Sequence, residues 1–137
     1  MAKGDYVIVK IDQRSLRLSV FQIKRSFQVM DTENSGRTQA TGEMYREIIG
    51  TFFNYHLKVE PYDEYPEDYD TFYEIISGTD KFHIIEVPYG QTTLRYRAYV
   101  TSGSDTLRYI ENAGMENQIN RWEGLEVDFI AQSPQRT

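Results

Sequence analysis

Apolar and polar residues alternate along most of this chain, and the longest alternation covers residues 44–60, MYREIIGTFFNYHLKVE. Ile49, Thr51, Phe53, Tyr55, Leu57 and Val59 fall in one phase; Arg46, Ile48, Gly50, Phe52, Asn54, His56 and Lys58 fall in the other. A period of two predicts a strand with one buried face, because successive side chains leave a pleated backbone on opposite sides. The first phase is apolar, β-branched or aromatic throughout. The second is mostly polar but carries Ile48 and Phe52. A strand this long, with apolar residues on both faces, exceeds what a small core needs. It predicts a surface that another copy of the chain covers.

The same reading places the other elements. Residues 6–11 alternate and predict a first strand, with a turn at 12–15. Residues 16–29 predict one or two more strands, and their alternation changes phase near Val20 and Phe21, the mark of a bulge or a break. The segment 31–43, DTENSGRTQATGE, has two glycines, three threonines and no large apolar residue. It predicts a loop that joins its neighbours into an extended hairpin: either a loose surface tip or an arm that orders against a neighbour.

One helix is predicted, over about 66–77. Pro66 suits the first helical position, where a missing N–H costs nothing. Glu67, Asp68 and Asp70 sit where the helix dipole favours negative charge. Tyr69, Phe72, Tyr73 and Ile76 make one apolar stripe, and Gly78 reads as the stop. Strands follow at 82–87 and 91–101, paired about the turn Pro88–Tyr89–Gly90. A turn is predicted at 102–105, a short strand at 106–110, a loop at 111–121 and a closing strand at 122–131. The expected fold is mainly β (α+β). Two antiparallel sheets pack together, or form a β-sandwich or partial barrel, with one short flanking helix and a long hairpin arm.

Composition narrows the function. At 137 residues the chain reads as a single domain, 1–137, able to bury a core without staples. It has no cysteine, which excludes disulfides, thiolate nucleophiles and cysteine-ligated metals. A net charge of −6 suits nucleic acid poorly, since phosphate contacts need clustered Lys and Arg. No apolar run has the length of a membrane span. The opening MAKGDYVIVK lacks the layout of a secretory signal, so the expectation is synthesis and folding in a cytoplasm. Eleven tyrosines and seven phenylalanines in a β-patterned chain suit sheets and interfaces, where the ring packs and the hydroxyl stays wet.

Candidate chemistry is sparse. His56 and His83 belong to no metal-ligand spacing, and read as strand histidines. No glycine-rich phosphate signature is present. The acidic run Glu60, Asp63, Glu64, Glu67, Asp68 and Asp70 is dense enough for calcium, but it lacks the spacing and central glycine of an EF-hand loop. It reads first as a solvated acidic face. Arg95, Arg97 and Tyr99 share the outward face of their strand, as interface residues or as an ordinary wet surface. No cofactor, metal or catalytic residue is assigned.

Three blocks carry a resemblance: REIIGTFFNYHLKVEP (46–61), VPYGQTTLRYRAYVTSG (87–103) and RWEGLEVDFIAQSPQRT (121–137). From about Phe27 to the end, the chain resembles structural proteins of phage and prophage tails of Gram-positive hosts, of the tail-tube or tail-tube-like kind. The resemblance implies two packed sheets, a flanking helix, a long arm, and copies that join into rings and stacked rings. It implies a virion protein made in the bacterial cytoplasm, partnered by its own copies and other tail proteins; the acidic charge and the lack of a long apolar run lead to the expectation of no specific nucleic-acid or membrane binding. A lumen face is not assignable. The residues expected to carry self-association are Arg37, Gln39, Met44, Arg46, Ile48 and Phe52 on the arm and long strand, and Arg95, Arg97 and Tyr99 beyond it. The alternatives are a monomeric β-sandwich that grips sugar or peptide with tyrosines, and an enzyme using an acidic pair within 60–70.

Overall fold

Long hairpins of alternating residues dominate the chain, and they wrap one sheet round an apolar interior. A computed structural model describes residues 6–33 and 35–136; residues 1–5, part of the opening read for a leader, together with Asn34 and Thr137, lie outside the described residues. The elements in chain order are β1 (Val7–Ile11), β2 (Arg14–Asp31), β3 (Gly36–Arg37), β4 (Met44–Tyr45), β5 (Ile48–Pro61), α1 (Pro66–Ile76), β6 (His83–Tyr89), β7 (Thr92–Tyr99), β8 (Gly103–Glu111) and β9 (Ile119–Ala131). The protein is mainly β with one short helix, as the alternation predicts.

Seven strands form one antiparallel sheet in the order β5-β2-β1-β6-β7-β9-β8, and β5 also pairs with β9. The pairing thus runs round a circuit, but two seams are short. β1 meets β6 only at Lys10 and Ile11, and β7 meets β9 only at Ala98 and Tyr99. The result is a partial barrel, not an evenly closed one. This is the partial-barrel form of the expected mainly β fold. The second sheet is only the β3–β4 ribbon within the arm.

The interior is filled from every side of the circuit. Leu18 on β2, Tyr55 and Val59 on β5, and Leu125, Val127 and Phe129 on β9 are all buried. Fully burying such a side chain is worth about 1.5–3 kcal/mol, so this layer dominates the stability. Tyr69, Phe72 and Ile76 of α1 close one mouth of the barrel, while Tyr73 lies at the rim. Glu67 and Asp68 lie in the first turn; Asp70 falls just past it. The helix stops at the expected place, but Gly78 does not adopt a left-handed conformation there. Ser77 N–H and Gly78 N–H donate to the carbonyls of Tyr73 and Ile75 and tighten the last turn instead.

The phase change near Phe21 is a bulge. Val20 faces Val59 and Gln22 faces Lys58, so Phe21 has no partner across the ladder. Beyond it, Ile23, Arg25, Phe27 and Val29 share the face of Leu57, Tyr55, Phe53 and Thr51. The interior face of β2 therefore continues past the barrel mouth as an exposed ribbon.

Several expectations need correction. Residues 44–60 are not one strand: the chain breaks at Arg46 and Glu47, and Ile49 is exposed, skipped where the register shifts between Ile48 and Gly50. The segment 31–43 is not a plain loop, because Gly36 and Arg37 within it pair as β3 with β4 just beyond it and Thr38 N–H donates to the Glu43 carbonyl across the tip. β8 starts at Gly103, inside the predicted turn, and β9 starts at Ile119, inside the predicted loop. These two strands form a second long hairpin whose turn is 112–118.

The backbone of β5 is also shielded on both flanks. β2 covers one edge over its whole length. β9 covers the other from Tyr55 to Val59, and the C-terminal tail takes over beyond it. Thr51 N–H donates to the Arg136 carbonyl at 2.8 Å, and Phe53 N–H to the Gln135 side chain at 2.7 Å. β5 therefore offers little bare backbone to another copy, and the apolar surface it exposes is Ile48 and Ile49 near its start. Gly50 permits the tail to come so close: a Cβ there would sit 2.3 Å from the Arg136 carbonyl oxygen and 2.6 Å from Pro134 Cβ. Gly50→Ala is expected to detach residues 133–136 while the barrel stays folded. Amide exchange at Thr51 and Phe53 should then speed up by about tenfold or more, the loss of roughly one hydrogen bond apiece; unchanged exchange at these two amides would contradict it.

Candidate assembly surfaces

With β5 covered, the open backbone lies elsewhere. β1 pairs with β2 only from Arg14 to Leu18. Among the described residues, the β2 edge facing away from β5 has no partner strand from Ser19 to Asp31. The outer edge of β8 is likewise unpaired among the described residues, since β8 pairs with β9 alone. Both edges carry exposed apolar residues. On β2 these are Phe21, Ile23, Phe27 and Met30; on β8 they are Leu107, Tyr109 and Ile110. Proline and bulges blunt natural edges. β8 has register shifts at 104–106 and 107–109, but neither edge holds a proline.

The ladders also fix where the hairpins point. β5 runs from the arm at Ile48 towards α1 at Pro61, and β9 runs against it, with Tyr55 opposite Phe129 and Val59 opposite Leu125. Residues 119–122 of β9 therefore extend past the α1 end of β5. The β2–β5 arm projects from one pole of the barrel and the β8–β9 turn from the other.

The residues expected to carry self-association fall into two groups. Arg37, Gln39, Met44, Arg46 and Ile48 lie on the arm or at its base. Arg37 donates to the Gly42 carbonyl, and Arg46 pairs with Asp31 at 2.8 Å. Ile48 is 51% exposed, whereas Phe52 is half-buried and packs on the core. Arg95, Arg97 and Tyr99 lie on the outer wall of β7, with β9 between them and β5. Tyr99 rests edge-on against Phe82. The structure does not join the two groups into one patch.

Three features lay beyond the sequence reading. The first is the β8 edge. The second is a groove of about 460 Å³ at the mouth opposite α1, lined by Arg25, Phe27, Val29, Phe53, Tyr89 and Arg136. The third is an aromatic knot before α1. Tyr62 stacks on Tyr65, Tyr6 meets both edge-on, and the Arg17 guanidinium lies 3.5 Å from the Tyr65 ring centre. These rings pack on one another. Tyr96 points into the interior, where its hydroxyl finds no partner among the described residues.

The acidic run disperses onto separate partners. Asp68 accepts from the backbone and side chain of Arg17, which hold its carboxyl below the usual carboxylate range. Asp63 pairs with Arg121 at 3.5 Å, and Glu60 accepts from Gly124 N–H at 3.3 Å. Among the described residues, no three His, Asp or Glu side chains converge as metal ligands would.

The two histidines are structural in different ways. His83 is buried, and its Nδ1 lies 2.6 Å from Asp12, whose other oxygen accepts from Ile84 N–H. This carboxylate ties the β1–β2 turn to β6. His56 bridges β5 to β9 on the outer wall, 2.6 Å from Asp128 and 3.3 Å from Glu126, with Lys24 opposite on β2. The hydrogen bond to Asp128 holds its pKa above the ordinary histidine value. No family model matches the chain, and no curated protein matches it.

A raised folded pKa means that protonated His56 stabilises the native state, fully below pH about 6.5, and that this contribution fades as pH rises through the folded pKa. His56→Gln should therefore lower the melting temperature at pH 5.5 and have little effect at pH 9. An equal loss at both pH values in thermal melts would contradict the ion-pair role.

Proposed function

We propose that this chain is a non-enzymatic assembly protein that self-associates through the β2 and β8 edges. The single observation that supports the reading most is a pair of apolar, proline-free edges, one on β2 and one on β8, that are unpaired among the described residues. An edge strand is a template for another strand, and two different edges on one molecule join head to tail. Such a joint generates rings or filaments. The arm at one pole and the second hairpin at the other suit contacts between successive layers. With the resemblance of the three sequence blocks, this favours a structural protein of a phage or prophage tail, of the tail-tube-like kind, acting in the virion. The proposed partners are copies of itself and other tail proteins.

The test uses exposed residues so that folding is spared. Surface substitutions away from special features shift stability by about 0.5 kcal/mol or less. Ile110→Lys on β8 and Phe21→Lys on β2 should each lower the oligomer mass measured by sedimentation at high concentration, with melting temperatures near that of the parent. Negative-stain images of the concentrated parent should show rings or short tubes. A parent that stays monomeric at high concentration, or variants that assemble as well as the parent, would contradict the reading.

A further inference from the structure

We propose that the groove at the open mouth of the barrel is a receptor for the Met115–Glu116 tip of the β8–β9 hairpin of a second copy. It deepens the self-association reading and rests on it. Two guanidiniums converge on this groove: Arg25 lies 5.5 Å and Arg136 5.9 Å from the centre of the Tyr89 ring. Arg136 also donates to the Tyr89 hydroxyl. Neither arginine has a carboxylate partner among the described residues, in a chain of net charge −6. Phe27, 69% exposed, forms one apolar wall beside them, and Phe53 lies edge-on to Tyr89 below. Paired arginines beside exposed aromatic carbon call for a ligand with a carboxylate next to an apolar group.

The tip of the second hairpin has that chemistry. Met115 is 62% exposed and Glu116 follows it. Glu116 forms no ion pair among the described residues. The turn that presents them is held in shape. Asn112 and Gly114 have φ of 55° and 80°, Gly114 N–H donates to the Gln118 side chain at 2.8 Å, and Met115 N–H donates to the Asn112 carbonyl at 3.1 Å. A preformed turn loses little freedom on docking. A methionine thioether packs well against aromatic edges, and a carboxylate matches two guanidinium forks.

Topology supplies the third reason. The tip and the groove lie at opposite poles of one barrel. A tip therefore cannot fill its own groove, and the contact joins one copy to the next along the barrel axis. This joint is distinct from the sideways joint of the β2 and β8 edges.

The chain has no cysteine, so single introduced thiols report this contact directly. A Met115→Cys variant is mixed with a Phe27→Cys variant under mild oxidation, and the mixed disulfide dimer is quantified beside sedimentation of the same sample. The mixed dimer should exceed that from Met115→Cys with a control Arg97→Cys by about tenfold, a contact worth about 1.4 kcal/mol. Adding Glu116→Arg to the first variant should remove the excess, and adding Arg25→Glu and Arg136→Glu to the second should restore it. Oligomers that form without the mixed disulfide would overturn the docking and leave edge-mediated assembly standing. A mixed disulfide indifferent to the charge changes would overturn the arginine groove as the receptor. Protein that remains monomeric throughout would overturn both.

Discussion

Strand β5 is bonded along both edges, to β2 on one side and to β9 and the tail on the other. This double pairing turns a set of hairpins into a curled sheet with an interior. It also fixes the poles, because the β2–β5 ladder sends its arm one way and the β5–β9 ladder sends the second hairpin the other. The bulge at Phe21 is part of the same constraint. Without it, the period of two would put Ile23, Phe27 and Val29 on the outer wall and their polar neighbours inside. Gly50 contributes as well, since any side chain there would exclude the tail that covers the last stretch of β5.

The barrel that results is asymmetric. At one mouth, Tyr69, Phe72 and Ile76 of α1 plug the interior, and Tyr69 donates to Asp105 at 2.6 Å to pin the start of β8. Burial pushes the Tyr69 phenol well above its ordinary pKa, so it stays a donor. At the other mouth no helix intervenes, and the interior face runs out as a ribbon with arginines and exposed phenylalanine. The molecule thus has a closed end, an open end and unlike edges at its sides. Of the acidic run, Glu60, Asp63 and Asp68 are held by separate partners, and His56 and His83 each tie strands together.

Much of this was legible in the chain. Alternation placed the apolar set of β5 inward from Phe53 to Val59, and it set Tyr96 and Ala98 inward against Arg95 and Arg97 outward on β7. Proline at 66 and the stripe from Tyr69 to Ile76 located the helix, and the phase change located the bulge. What failed has physical causes. Thr106–Ile110 carries apolar residues on an edge strand that touches little core, so its pattern gave no clear boundary with the turns around it. The tail pairs through backbone and the amide of Gln135, which leaves no mark in hydropathy. Long-range pairing of β9 with β5 likewise depends on closure of the sheet. The groove draws residues from β2, β5, the β6–β7 hairpin and the tail, far apart in sequence, and the second hairpin hid in a stretch whose polarity resembles a loop.

The surplus apolar surface thus lies on β2 beyond the bulge and on β8, and the most direct measurement follows these two edges as the protein associates. Hydrogen–deuterium exchange would compare dilute and concentrated samples, residue by residue. Slower exchange on concentration, confined to 19–31 of β2 and 103–111 of β8 with β5 unchanged, is the expected result. Exchange in both edges that is the same at every concentration would contradict the claim that copies of this chain cover them.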